Sequence, residues 1–206
     1  MRSIILVTLL LAVFGQTVPR SALASADSGQ ICASAVRLAE QQQHLPRLLL
    51  HAVSLTESGR WDDDRQAGFA WPWTVTAEGK GRFFRSKEDA IAEVKRLRAA
   101  GVRNIDVGCM QINLMYHGAM FEDVAVALDP VHNVAYAAAW LKHLRGEHGS
   151  WAHAVGRYHT ANWKARGQDY WRKVRTLWTT EQKRDFRKRR EARMRENLRR
   201  RTLASQ

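Results

Sequence analysis

The chain has 206 residues, 45% of them hydrophobic, which suits one domain of ordinary size with its own core and excludes a wholly disordered or fibrous protein. Its formal net charge of +13 makes polyanions its natural partners, whether lipid head groups, acidic wall polymers, acidic proteins or nucleic acid. Eleven Lys or Arg against four acids over residues 181–206 give that segment +7 of the total.

The first 26 residues read as a secretory signal peptide: Arg2 opens it, Ile4 to Phe14 is apolar, and Ala22-Leu23-Ala24 supplies small residues, so that cleavage after Ala24 or after Ala26 fits. The apolar run falls short of the roughly 20 residues of a membrane span; an uncleaved anchor is the alternative. Export to the periplasm follows as the expectation. In such an oxidising compartment Cys32 and Cys109 are expected to pair, with two separate buried thiols as the alternative.

Residues 30–42 carry apolar side chains at helical spacing through Ile31, Ala35, Leu38 and Ala39. A second helix is expected from Leu45-Pro46 to a stop at Gly59, which places Glu57 on its last turn. From Gly68 to Phe84 the aromatic and β-branched residues around Ala77-Glu78-Gly79-Lys80-Gly81 predict one β-hairpin or flap. Its Trp71, Trp73, Phe83 and Phe84 fit either a sugar-stacking wall or ordinary hairpin packing. Ser86 and Asp89 mark the start of a helix that ends at Gly101, and Asp129-Pro130 starts another that ends at Gly146. Shorter helices are expected over 151–159 and 168–178, followed by a basic tail over 181–206, helical or frayed. The domain organisation is thus a leader (1–26), one mainly α (α+β) domain (27–180) and the tail.

Three stretches carry the candidate chemistry: Leu55-Thr56-Glu57-Ser58-Gly59, Asn104 to Asn113 with Gly108-Cys109-Met110-Gln111 at its centre, and Ala154-Val155-Gly156-Arg157-Tyr158-His159. A carboxyl at a helix end, buried against apolar walls, is held protonated near neutrality, as a general acid requires. A solvated helix-end carboxylate is the plain alternative for Glu57.

In order and spacing these stretches resemble the catalytic domain of the lytic transglycosylases related to soluble lytic transglycosylase, over roughly residues 30–178. The family's Glu-Ser, Gly-Leu-Met-Gln and Ala-Tyr-Asn correspond to Glu57-Ser58, Gly108-Cys109-Met110-Gln111 and Arg157-Tyr158-His159. The Met-Gln-Ile-Asn form is similar to the small transglycosylases of secretion, pilus and conjugation machines.

The resemblance implies a goose-type lysozyme-like fold with a small β-hairpin, and Glu57 as catalytic acid and base. Met110, Gln111 and Tyr158 would line the sugar subsites, with Ser58 and Asn113 in support. Cys109 and His159 depart from the family pattern. The implied reaction needs one carboxylate and yields a 1,6-anhydro end. Asp106 is the candidate second carboxylate of a hydrolytic muramidase, or else a residue that caps a turn; Asp62, Asp63 and Asp64 lie just past the glutamate helix. A non-catalytic glycan-binding role is the reading from another class. No cofactor and no metal are expected, because the eight histidines form no ligand spacing. The expected partners are peptidoglycan strands and an envelope machine, with the tail on a membrane surface or acidic partner. Nucleic acid is not expected, and the chain is expected to be a monomer.

Overall fold

A computed structural model of the chain describes residues 20–63 and 66–204, with side chains from residue 30 onward. The expected leader lies outside the described residues up to residue 19, and its cleavage positions fall where only backbone is described. The architecture is mainly helical with two small antiparallel sheets.

The first helix, α1 (Arg20–Gln43), presents Cys32, Ala35, Val36 and Ala39 to the core, and Leu38 points to solvent at 48% exposure. The buried stripe follows Cys32 at spacings of three, four and seven, and Leu38 lies off it. The second helix, α2 (Leu49–Ser58), starts later than Pro46 would place it. Leu48 takes a left-handed φ of 64° and interrupts the helical path, and its side chain offers no cap. Glu40 of α1 supplies one: its carboxylate accepts from the backbone N–H of Leu48 at 3.0 Å and of His51 at 3.1 Å. A buried anion at a helix N-terminus satisfies donors that the helix cannot satisfy itself.

The segment expected to be one hairpin belongs to two sheets. Strands β1 (Gly59–Asp62) and β2 (Ala67–Ala70) pair with each other, from Gly59 opposite Ala70 to Asp62 opposite Ala67. Strands β3 (Thr74–Ala77) and β4 (Lys80–Phe83) form the second hairpin. Its loop is Glu78-Gly79, both at positive φ (51° and 77°), the two-residue geometry whose twist matches antiparallel strands. The helix α3 (Lys87–Ala99) follows, and the Ser86 hydroxyl accepts from the Asp89 N–H at 3.1 Å.

Strands β5 (Ile105–Val107) and β6 (Ile112–Asn113) complete a sheet of order β4-β3-β5-β6, so the stretch from Asn104 to Asn113 is itself a tight hairpin. Short helices α4 (Leu114–His117), a 3-10 turn (Gly118–Met120) and α5 (Val124–Leu128) lead to α6 (Pro130–His148). Gly146 lies inside α6, at a tolerable cost of roughly 1 kcal/mol against alanine. The helix ends at Gly149, whose φ of 71° turns its N–H back to the Arg145 carbonyl at 3.1 Å. After α7 (Trp151–His159) and a π-helical segment (Trp163–Gly167), α8 (Gln168–Ala204) runs without a break through the expected start of the tail.

Two cores result. The larger joins α1, α2, α6, α7 and the start of α8 around Leu49, Leu50, Met110, Leu141 and Val155. The smaller packs α3 and α5 on the second sheet through Val94, Ile105, Val107 and Leu128. The Cys32–Cys109 disulfide, with Cα atoms 5.8 Å apart, ties α1 to the turn between β5 and β6.

Candidate functional site

All three singled-out stretches converge on the end of α2. Glu57 occupies its last full turn, in contact with solvent at one edge but otherwise ringed by protein atoms. Next to it Ser58 is buried, and its hydroxyl donates to the Cys109 carbonyl at 2.7 Å. That bond fixes the helix end against the β5–β6 turn.

The turn is built around a side chain on α6. Asn133 is fully buried; its Oδ1 accepts from the Met110 N–H at 2.9 Å, and its Nδ2 donates to the carbonyls of Val107 (3.0 Å) and Ala127 (2.8 Å). Such close approach requires a glycine opposite. Gly108 has φ 84°, and a Cβ there would lie 2.5 Å from the Asn133 Nδ2. Gln111, also at positive φ (47°), donates from Nε2 to the carbonyls of Thr74 (3.2 Å) and Gly108 (3.1 Å) and remains half-exposed. The Met110 side chain is wholly buried, whereas its carbonyl accepts from the Tyr158 hydroxyl at 2.8 Å. Tyr158 on α7 thereby joins the third stretch to the second.

Asn113 caps α4 with its Oδ1 and donates from Nδ2 to Asp106 (2.8 Å) and Asn104 (2.6 Å). Asp106 is thus held by a side-chain amide on the neighbouring strand, and its carboxylate lies near enough to Glu57 for its charge to act there. Asp62 and Asp63 lie at the end of the β1 strand, and Asp64 is outside the described residues.

The group nearest to Glu57 is one that sequence reasoning missed. Tyr170, on the first turn of α8, donates its hydroxyl to the Glu57 Oε1. It is buried, and His159 stacks on its ring at 4.4 Å and an interplanar angle of 2°. The path of α8 depends on α7: a Cβ at Gly156 would lie 2.4 Å from the Trp163 ring and 2.8 Å from the Gly167 carbonyl, so only glycine lets the π-helical segment close over α7. Tyr170 follows that segment directly. No local signal marks it, because it lies 113 residues from its partner.

The electrostatics follow from this packing. Burial pushes the Glu57 carboxyl up from 4.5 to about 7, the Tyr170 hydrogen bond opposes the rise, and the Asp106 charge adds to it. Asp106 is itself raised by burial, against the Asn113 bond. Both tyrosine hydroxyls are driven well above their ordinary range, by burial first and then by the Glu57 charge, and so stay protonated donors. A carboxyl poised near neutrality serves as an acid in one step and a base in the next.

The aromatic residues of the hairpin region divide between packing and surface. Trp71 is buried and donates from Nε1 to the Phe84 carbonyl at 2.7 Å, while Trp73 and Phe84 pack on the smaller core. Phe83 is exposed, and the Arg60 guanidinium sits between Trp71 (4.5 Å) and Phe83 (5.0 Å). Among the described residues no group of three or more His, Cys, Asp or Glu side chains is arranged to hold a metal ion. Compared with known proteins, the chain matches no family model, no curated protein and no solved structure.

Proposed function

We propose that the chain is an exported peptidoglycan lytic transglycosylase of the soluble lytic transglycosylase type, with a lysozyme-like fold and Glu57 as its only acid and base. The observation that carries this reading is the placement of Glu57 at the end of α2, hydrogen-bonded by Tyr170 and tied through Ser58 to the turn that holds Met110 and Gln111, where burial pushes its carboxyl up to about 7.

Protonated Glu57 donates to the β-1,4 glycosidic oxygen between N-acetylmuramic acid and N-acetylglucosamine, and the bond to the muramic C1 breaks. The substrate's own N-acetyl carbonyl stabilises the positive centre. Glu57, now a carboxylate, takes the proton of the C6 hydroxyl as that oxygen closes on C1, giving the 1,6-anhydro end. No water enters the balance, and the tethered hydroxyl is favoured by its high effective concentration. Tyr170 steadies the carboxylate between the two steps. Gln111, half-buried on the β5–β6 turn, contacts the sugar, and Ser58 and Asn113 hold the turn in place. The working site is the periplasm, on glycan strands near a trans-envelope machine of the secretion, pilus, flagellar or conjugation kind.

A hydrolytic muramidase is the second reading, favoured by Asp106, whose charge reaches Glu57. Mass spectrometry of the muropeptides released from isolated sacculi separates the two. Anhydro ends from the wild type and none from Glu57→Gln are expected; new reducing ends make the enzyme a hydrolase, and release that survives Glu57→Gln removes the catalytic assignment.

A further inference from the structure

The helix α8 has two halves with different surroundings. Its first part is held on the body through buried Tyr170 and Val174, a hydrogen bond from the Trp178 Nε1 to the Arg47 carbonyl at 2.8 Å, and the Arg47–Asp185 ion pair. From Phe186 to Ala204 every residue is exposed, an outer helical arm of about 28 Å.

Residues succeed one another by 100° around such a helix, which sorts this segment's side chains into two unlike faces. Lys183, Arg187, Arg190, Arg193 and Arg201 fall within an arc of about 140° that also holds Phe186, Met194 and Leu198. All four acids, Glu181, Asp185, Glu191 and Glu196, lie outside that arc, together with the other six cations and Leu203, so the arc is the face that carries cations and no acid. Asp185 pairs with Arg47 and Arg189, Glu181 with Arg184 and, at 3.8 Å, with His51, and Glu196 with Arg200. Glu181 and Asp185 are therefore turned to the body, and the arc that holds the five cations and the three apolar side chains lies on the opposite side of the helix. Its five cations make no ion pair among the described residues, and Phe186, Met194 and Leu198 are 67%, 55% and 61% exposed.

We infer that this arc docks on an anionic phospholipid surface, with the helix lying in the head-group plane. Guanidinium groups pair with lipid phosphates in their fork geometry. A soluble polyanion or an acidic protein tail would satisfy the cations but leave three large apolar side chains in water; a bilayer interface takes both kinds. Among the described residues no helix is long and apolar enough to cross a membrane. This inference is independent of the reaction proposed for Glu57.

The test is the partition of the full chain onto phosphatidylglycerol-containing vesicles and onto pure phosphatidylcholine vesicles, at low and high salt. The apolar run Ile4 to Phe14 and the cations outside the arm are common to every variant, so the difference between wild type and variant reads the arm. A ratio of anionic-vesicle to neutral-vesicle binding well above one that falls with salt is expected. Substituting Arg190→Gln, Arg193→Gln and Arg201→Gln together should lower anionic-vesicle binding on the order of 100-fold, at roughly fivefold per base. The set Phe186→Ser, Met194→Ser and Leu198→Ser should lower it by at least about 30-fold, since three large apolar side chains even half-buried are worth roughly 2 kcal/mol or more together, while leaving binding to soluble polyglutamate unchanged. Equal partition onto both vesicle types overturns the inference. So does vesicle binding indifferent to the apolar set, which would assign the arm to an acidic polymer or protein. Far-UV circular dichroism of each variant verifies that the exposed substitutions leave the fold intact.

Discussion

Replacing Glu57 by glutamine tests the site without any substrate. The buried carboxyl titrates at about 7 rather than 4.5, so it binds its proton more tightly in the folded protein than in the unfolded chain. Below pH 4.5 both states hold the proton and wild type loses nothing by burying the group. As pH rises from 4.5 to about 7 the unfolded chain ionises first, and wild type loses about 1.4 kcal/mol of stability for each pH step, some 3 kcal/mol in all. Glutamine keeps the shape and the acceptor for the Tyr170 hydroxyl but carries no charge. Glu57→Gln is therefore expected to match wild type near pH 4 and to exceed it by about 3 kcal/mol at pH 8, on the order of 10 °C in melting temperature for a domain of this size. Urea unfolding of both proteins from pH 4 to 8 reads the difference. Repeating it in an Asp106→Asn background separates Glu57 from the carboxylate coupled to it. Parallel stability curves across that range would refute a buried carboxyl and with it the poised acid.

Tyr170→Phe removes the donor that holds the Glu57 pKa down, so the Glu57 midpoint should move above 7, followed by carboxyl NMR, with a loss of about 2 kcal/mol at pH 8 and less at pH 5. Replacing Cys32 and Cys109 by serine opens a loop with a sequence separation of 77, worth about 4.5 kcal/mol in the chain-entropy account, which thermal melts with and without reductant would reveal. Gly108→Ala is expected to cost roughly 3 kcal/mol, from left-handed strain and from displacing the bonds of Asn133, while Gly146→Ala, a helical position with open space around it, should gain up to about 1 kcal/mol. Equal melting temperatures for the two alanine variants would refute the packing of Asn133 against the turn.

Local chemistry carried most of the secondary structure. The Ser86 cap, the Asp129-Pro130 start, the Glu78-Gly79 turn and the position of Glu57 on the last turn of α2 each follow from residues within one or two turns of each other. The pairing of Cys32 with Cys109 was legible as one of two readings, the other being separate buried thiols, and the structure has the disulfide. What a neighbour dictates from afar was not legible. Leu48, apolar and helix-favouring, takes a left-handed conformation because Glu40 caps α2 from another helix. The stretch Gly68 to Phe84 divides between two sheets because β1 pairs with β2 and β5 with β3, choices made by register across the chain. The candidate acid was readable as Glu57, but its pKa of about 7 was not, since that value depends on burial, on Tyr170 and on Asp106 arriving together. In the same way the charges of the last 26 residues could be counted, yet which of them face the body was decided by Arg47 and His51. Periodicity and caps are encoded over a few residues, where backbone geometry is repetitive; a site is a meeting of side chains far apart in sequence, and only packing fixes which of them meet.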